Sequence, residues 1–450
     1  MESALCIALL LLFSPLPGGA VDEGKISYTA ELICAFRSIG ARDPDPKTRN
    51  PDFMAKYFVD PALQSTLPGL AVDFEDAKMA MDQMDNGGFY YVNARTHHID
   101  RLLVEALKTG VRQVVILGAG FDSRAYRFHP AYPDVRFFEI DLPATSASKQ
   151  HRVEKLLGQN PEWVTFVPID FDTQTLDDVL GEAGFASEQQ TFYIWEGVTY
   201  FISQAGVNST LHVIAEKSAP GSQIVFDYVL KDVVQGNYSA YGARKAAKFV
   251  ALMGEPYTFG ISPKQLASFV HLHGLRLLSD LGPQDLTQRY LISSNGTVSG
   301  KIAGFLRIVH ADVPEADERQ RLRRQAELEM KRHDTQQDLT IHSIAVPDDV
   351  QAFLNAYSDC FKRKDFDALL AFYAKDFLTD NLTRDSVVSF FQMTYLNRPI
   401  DQYRIVVTRF DQRGNRATID GFIARKGFRT PLIATEIVQG EDGQWRWYGH

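Results

Sequence analysis

The stretch from Val114 to Arg127, VVILGAGFDSRAYR, is a β-branched apolar run that stops at two glycines. Gly118 and Gly120 let the backbone approach a ligand closely, and a helix is expected to start near Ser123. In a dinucleotide site the third small position of such a turn is glycine, for tight packing of the helix on the strand. Ser123 stands there, so the dinucleotide pattern is incomplete. Roughly 20 residues on, where an acid commonly accepts hydrogen bonds from ribose hydroxyls, FFEIDLP places Glu139 and Asp141. Alternation along an extended strand puts these two on one side. The next apolar runs end in VPIDFD and IWEGVTYF, which carry Asp170 and Glu196 just past their strands. Acids after successive strands of one parallel sheet converge on a crevice at its carboxyl edge.

A crevice holding Asp141, Asp170 and Glu196 repels a pyrophosphate but suits a ligand bearing ribose, an adenine amino group and a sulfonium. S-adenosyl-L-methionine is such a ligand. Its carboxylate needs a cation, and Arg95 is a candidate because guanidinium binds carboxylates in a bidentate fork; the alternative for Arg95 is a surface salt bridge. A nicotinamide oxidoreductase shares the strand, turn and acid, but Ser123 and the additional acids weaken that reading.

Positioning these residues requires an α/β architecture. The helical run Tyr90 to Val111 leads through Gly110 into QVVILG, followed by VRFFEI, WVTFVP, TFYIW and SQIVFDYV, all apolar on both faces and separated by helical segments. That alternation predicts a parallel sheet sandwiched by helices. The later runs LRLLSDL and GFLRIVH complete the sheet or form an antiparallel edge. At 450 residues the chain exceeds one core, and two domains are expected. A net charge of -9 argues against a nucleic-acid or anionic-membrane surface. The cysteines Cys6, Cys34 and Cys360 are too scattered for a zinc cage or a disulfide framework, which suits a reducing compartment.

The stretch ARTHHIDRLLVEALKTGVRQVVILGAGFDSRAYR, followed by FFEIDLP, VPIDFD and WEGVTYFIS, resembles the leucine carboxyl methyltransferase family, which includes polyketide O-methyltransferases. The likeness runs from about Ser27 to about His310. It implies a class I methyltransferase fold, Rossmann-like, with a mostly parallel seven-stranded sheet. It also implies S-adenosyl-L-methionine as cofactor: Arg95 on its carboxylate, Gly118 and Gly120 in the turn, Asp141 on the ribose, Asp170 beside the adenine and Phe171 next to it. Glu196 is placed near the methionine moiety or the substrate mouth. Many relatives carry a tyrosine five residues after this glutamate, where the chain has Phe201; Tyr200 precedes it and is, with Glu196, the candidate catalytic pair. The expected activity is O-methylation of a small-molecule acceptor at a carboxylate or hydroxyl. A carboxylate needs no base at neutral pH, whereas a hydroxyl calls for one such as Glu196 or His97.

Residues 1–22 contain CIALLLLFSPLPGGA, which reads as a signal peptide, a hydrophobic arm on the fold or an over-extended start of translation; Glu2 stands where signals usually carry positive charge. The methyltransferase unit is assigned to residues 23–312 and a solvated, charged linker helix to 313–345. Residues 346–450 read as helices followed by an antiparallel meander and resemble the SnoaL-like, nuclear transport factor two-type α+β cone. Asp376, Trp445 and Trp447 are pocket candidates there, with core packing as the alternative. Such a cone suggests a homodimer. A cytoplasmic location is expected, or export if residues 1–20 are a working signal. The competing reading is a degenerate cofactor fold acting as scaffold, with an apolar-ligand cone.

Overall fold

The computed structural model describes residues 27–449 except 61–62, 64–66, 68–69, 71, 170–173, 335–343, 380–381, 396–402, 426–427 and 433. The N-terminal apolar segment, Asp170 and Phe171 therefore lie outside the described residues.

Among the described residues three α-helices longer than two turns precede the sheet: α1 (Tyr28–Gly40), α2 (Phe74–Asp85) and α3 (Gly88–Lys108). Helix α1 is capped by the Ser27 hydroxyl, which accepts from the Ala30 N–H. Helix α3 ends at Lys108, two residues before Gly110, whose φ of 109° no side-chain-bearing residue adopts readily. It is buried on almost every side because α1, α2 and a later helix all pack on it.

Chain order then alternates β1 (Gln113–Leu117), α4 (Arg124–Phe128), β2 (Arg136–Asp141), α5 (Pro143–Leu157), β3 (Val164–Pro168), α6 (Leu176–Glu182), β4 (Thr191–Trp195), α7 (Gln204–Lys217) and β5 (Gln223–Val229). Helices α8 (Ala243–Leu252) and α9 (Leu266–Leu272), β6 (Arg276–Leu281), α10 (Pro283–Tyr290) and β7 (Leu306–Asp312) complete the unit. The sheet has seven strands in the order β3-β2-β1-β4-β5-β7-β6. Its first five strands are parallel, as the unbroken apolar runs imply. The one reversed strand is β7, and it lies between β5 and β6 instead of at the edge. Two apolar layers cover the sheet: Val114 and Ile116 face one, Val115 and Leu117 the other.

The charged helix, α11 (Ala316–Asp334), docks on the α/β unit more closely than its composition suggests. Arg319 donates to the Ala215 carbonyl, Arg323 pairs with Glu216 and donates to the His273 carbonyl, and Ala326 is fully buried. Long arginine stems cover surface while their heads find carbonyls, so docking needs few apolar residues.

The remainder holds α12 (Asp348–Lys362), β8 (Tyr373–Thr379), β9 (Leu382–Thr383), α13 (Arg384–Tyr395) and β10 (Arg404–Arg413), β11 (Arg416–Arg425), β12 (Phe428–Pro431), β13 (Glu436–Gln439) and β14 (Trp445–Gly449). A short helical segment, Phe366–Phe372, follows α12, and after it Tyr373–Thr379 is a strand that pairs parallel to β14. The sheet is thus mixed, not a pure antiparallel meander. Trp445 and Trp447 are core residues, the first donating its indole N–H to Asp349 Oδ2 at 2.7 Å. Asp376 is exposed on β8. This sheet also touches the first unit: Val406 and Phe422 belong to the α/β core, Arg244 of α8 pairs with Asp420 at 2.9 Å, and Arg429 donates to the Gln235 carbonyl.

Candidate active site

Because β1, β2, β4 and β5 run parallel and adjacent, their carboxyl ends open on one side. A cavity of about 620 Å³ lies there, within the roughly 300–1,000 Å³ usual for small-molecule sites. Of the sequence-derived residues, Arg95, Gly118, Gly120, Asp141, Glu196, Tyr200 and Phe201 all line it; His97 does not. The His97 ring instead stacks on Tyr290, 5.7 Å between centroids, and burial pushes its pKa down.

The glycine turn is held by the strand beside it. The Ala119 N–H donates to the Ile140 carbonyl at 2.9 Å, extending the β1–β2 ladder into the turn. That brings Asp141 under the turn, where one carboxylate oxygen accepts from the Gly120 N–H and the other from the Leu142 N–H. Burial raises the Asp141 carboxyl pKa, while these two N–H groups pull it back. Each oxygen keeps a free lone pair for a ligand hydroxyl. Gly118 has φ +65°, and a Cβ there would meet Val198 Cγ2 at 2.2 Å. Helix α4 has only five residues, and its first-turn hydroxyl, Ser123 Oγ, donates to Asp52 Oδ1 instead of capping the helix. Glu139 is no solvated strand end: it is buried and paired with Lys149 Nζ at 2.7 Å.

Arg95 and Glu196 are not a lone pair of functional groups but part of a buried network. Glu196 Oε1 lies 3.0 Å from Arg95 Nε, and its Oε2 accepts from Arg124 Nη1 at 2.7 Å. The first contact is electrostatic, without hydrogen-bond alignment. Burial opposes the Glu196 charge, but Arg124 and Arg95 outweigh it and hold the carboxyl well below its usual range. The second carboxylate on Arg95 is Asp227 of β5, which accepts from Arg95 Nη1, Tyr91 Oη (3.2 Å), Tyr200 Oη (3.4 Å) and the Gly197 N–H (2.7 Å). Burial works against the Arg95 charge, yet Glu196 and Asp227 keep its guanidinium protonated. Its Nη2 makes no hydrogen bond among the described residues and is the group left for a ligand carboxylate. Burial pushes the Tyr200 phenol above its ordinary pKa, so it serves as a donor and not a base.

Asp227 was missed from sequence, although a charged residue inside SQIVFDYV was a signal: an acid within a strand buried on both faces must be paired. Arg124 was missed too, being hidden in the helical half of the glycine motif. Asp85 and Glu255, which no motif marked, also line the cavity.

Residues 30–215 match the family model described as leucine carboxyl methyltransferase, which is less than half of the chain. A protein of Bacillus subtilis (strain 168), YktD, is 27% identical over 206 residues, covering 46% of this chain and 67% of its own length. A Mycobacteroides abscessus protein is 33% identical over 206 residues, covering 45% and 64%. Both carry the provisional name S-adenosyl-L-methionine-dependent methyltransferase. The chain spans about two thirds of the length of the curated relatives that it matches. Among solved structures, a DUF574 family protein of Streptomyces avermitilis aligns with TM-score 0.43 at 14% identity, covering 65% of this chain and 99% of its own. Human N-acetylserotonin methyltransferase in complex with S-adenosylmethionine aligns with TM-score 0.30 at 15% identity, covering 56% and 62%. The family model and the relatives' names point to one chemistry, S-adenosylmethionine-dependent methyl transfer.

Proposed function

We propose that the chain is an S-adenosyl-L-methionine-dependent O-methyltransferase acting on a small molecule. The observation that carries this reading is the shared cavity: Asp141 with open lone pairs at the end of β2, and the unbonded Nη2 of Arg95 on α3. These residues fit the cofactor's ribose and carboxylate respectively. Asp170 is assigned to its adenine, and Phe171 to cofactor binding. When bound, the cofactor supplies a methyl carbon whose bond to sulfur breaks, the electron pair leaving on sulfur, as the acceptor's bond to that carbon forms. The protein contributes orientation and exclusion of water. Tyr200 and Glu196 position Arg95, through the ion pair and the shared Asp227 carboxylate.

The second unit is assigned as a SnoaL-like module and a candidate homodimer surface. Among the described residues no helix is long and apolar enough to cross a membrane. We place the protein in the cytoplasm because the proposed cofactor is available there. Calorimetric titration of the intact protein with S-adenosylmethionine tests the reading. Binding is expected, with Asp141→Ala weakening it at least tenfold. Folded protein that gives no binding would sink it.

A further inference from the structure

Three tyrosines line the cavity, and two of them have their hydroxyls engaged. Tyr91 donates to Asp227 Oδ2 at 3.2 Å, and Tyr200 donates to the same oxygen at 3.4 Å. The third, Tyr257, lies in the segment after α8 and is 7% exposed. Its phenol makes no hydrogen bond among the described residues: Tyr200, Asp85 and Asp227 face it, and none of them accepts from it. Nor is its oxygen sealed inside the protein, as the unbonded Thr145 Oγ1 of the same cavity wall is. A buried phenol ordinarily finds a partner, and the place open to this one is the cavity.

The ring is held in place from two sides. Its neighbour Thr258 pins the backbone, donating its N–H to the Tyr200 carbonyl at 2.8 Å and its hydroxyl to the Ile202 carbonyl at 2.7 Å. Around the ring stand Tyr200 edge-on at 5.5 Å between centroids, Phe201 stacked at 5.7 Å and Phe305 tilted at 6.0 Å. A side chain fixed this way has little rotamer freedom left to lose when it takes a ligand. Tyr200 also links it to the cofactor's place, because the Tyr200 hydroxyl lies 3.4 Å from Nη1 of Arg95, the guanidinium assigned to the cofactor's carboxylate. Tyr257 is thus one ring away from the group that holds the methionine moiety.

We propose, resting on the methyl-transfer reading, that Tyr257 binds and orients the acceptor: its O–H donates to an oxygen carried on an aromatic ring, and that ring packs among Phe201, Phe249 and Phe305. All four residues line the one cavity, so the hydrogen bond and the aromatic wall act on the same molecule. The bond occupies one lone pair of a ring hydroxyl, or the second oxygen of a ring carboxylate, and leaves another lone pair to face the methyl carbon. Burial holds the phenol well above its ordinary pKa, so Tyr257 keeps its proton and acts as a donor in both cases.

The test uses three probes of matched shape, 4-tert-butylphenol, 4-tert-butylbenzoate and tert-butylbenzene, in equilibrium dialysis against the full chain at pH 7, without and with S-adenosylmethionine's demethylated product. Tyr257→Phe removes the oxygen and keeps the ring. It is expected to weaken the phenol roughly two- to tenfold, or the benzoate tenfold or more where the benzoate is the probe that binds, because a hydrogen bond to a charged acceptor is worth more. Binding of tert-butylbenzene is expected to stay unchanged, which a mere loss of packing would not allow, and S-adenosylmethionine affinity to stay within about twofold of the parent. An equal loss for all three probes, no loss for any, or no binding of either oxygen-bearing probe would overturn the assignment. So would a tenfold fall in cofactor affinity, which would put the hydroxyl on the cofactor instead. Failure of the parent chain to bind S-adenosylmethionine, with the dependence on Tyr257 intact, would overturn methyl transfer alone, because probe binding is also read without it.

Discussion

Replacing Gly118 by alanine separates two costs that the structure superimposes at one atom. The first is conformational: at φ +65° an alanine is in the left-handed region, which costs roughly 1–2 kcal/mol. The second is steric: the new Cβ would fall 2.2 Å from Val198 Cγ2, and overpacking of this kind costs about 1–3 kcal/mol. Gly118→Ala is therefore expected to lose about 2–5 kcal/mol from a total that for most domains is only about 5–15. Adding Val198→Ala removes the clashing methyl but leaves the backbone strain. The double variant should recover the steric part and remain about 1–2 kcal/mol below the Val198→Ala single variant. Urea unfolding of all four proteins gives the cycle, and calorimetry with S-adenosylmethionine gives its functional counterpart. Gly118→Ala within about 0.5 kcal/mol of the parent, or no recovery on adding Val198→Ala, would refute this account of the turn.

Three further outcomes follow from other parts of the molecule. Asp227→Ala should cost about 3–5 kcal/mol by stranding Arg95 with one carboxylate, and Asp227→Asn less; equal losses in denaturant midpoint would mean that the charge is not what holds Arg95. The Asp85 carboxyl has a folded-state pKa of about 7 against an ordinary 3.8, so its contribution to stability is full below about 3.8 and lost as pH rises toward 7. Asp85→Asn should therefore gain on the parent across that window, by on the order of 1.4 kcal/mol per unit of displacement, and a pH-independent difference would disprove it. Phe422→Leu, which trims a β11 side chain buried in the α/β core, should cost roughly 0.5–3 kcal/mol; an unchanged denaturant midpoint would contradict its place in that core.

The sequence was most legible where one physical demand acted on each position. Val114–Leu117 and Thr191–Trp195 had to be buried on both faces, so their apolar runs identified strands, and acids just beyond them could only sit at the sheet's carboxyl edge. The placement of Gly118, Gly120, Asp141 and Glu196 around one cavity followed from that. Partnerships were not legible. Nothing in the spacing of Arg95 reveals that it meets Asp227, 132 residues on, because ion-pair choice is decided by tertiary packing. Asp85 and Glu255 carry no motif, and each reaches the cavity only through tertiary packing. Tyr373–Thr379 misled because it carries apolar residues at helical spacing, while the β14 edge available beside it decided for strand.

Helix α8 is a party wall. Ala246, Phe249 and Val250 look into the cavity, while Arg244 and Leu252 are tied to the C-terminal unit. The two halves of the chain therefore cannot be exchanged as independent modules. A substitution on α8 that reshapes the cavity disturbs the seam, and a chimera with another C-terminal sheet inherits a different wall. Retuning what this protein accepts thus has an address more than 100 residues beyond the last cavity-lining residue in the chain, at Asp420, where the helix can be shifted without touching a single cavity-lining side chain.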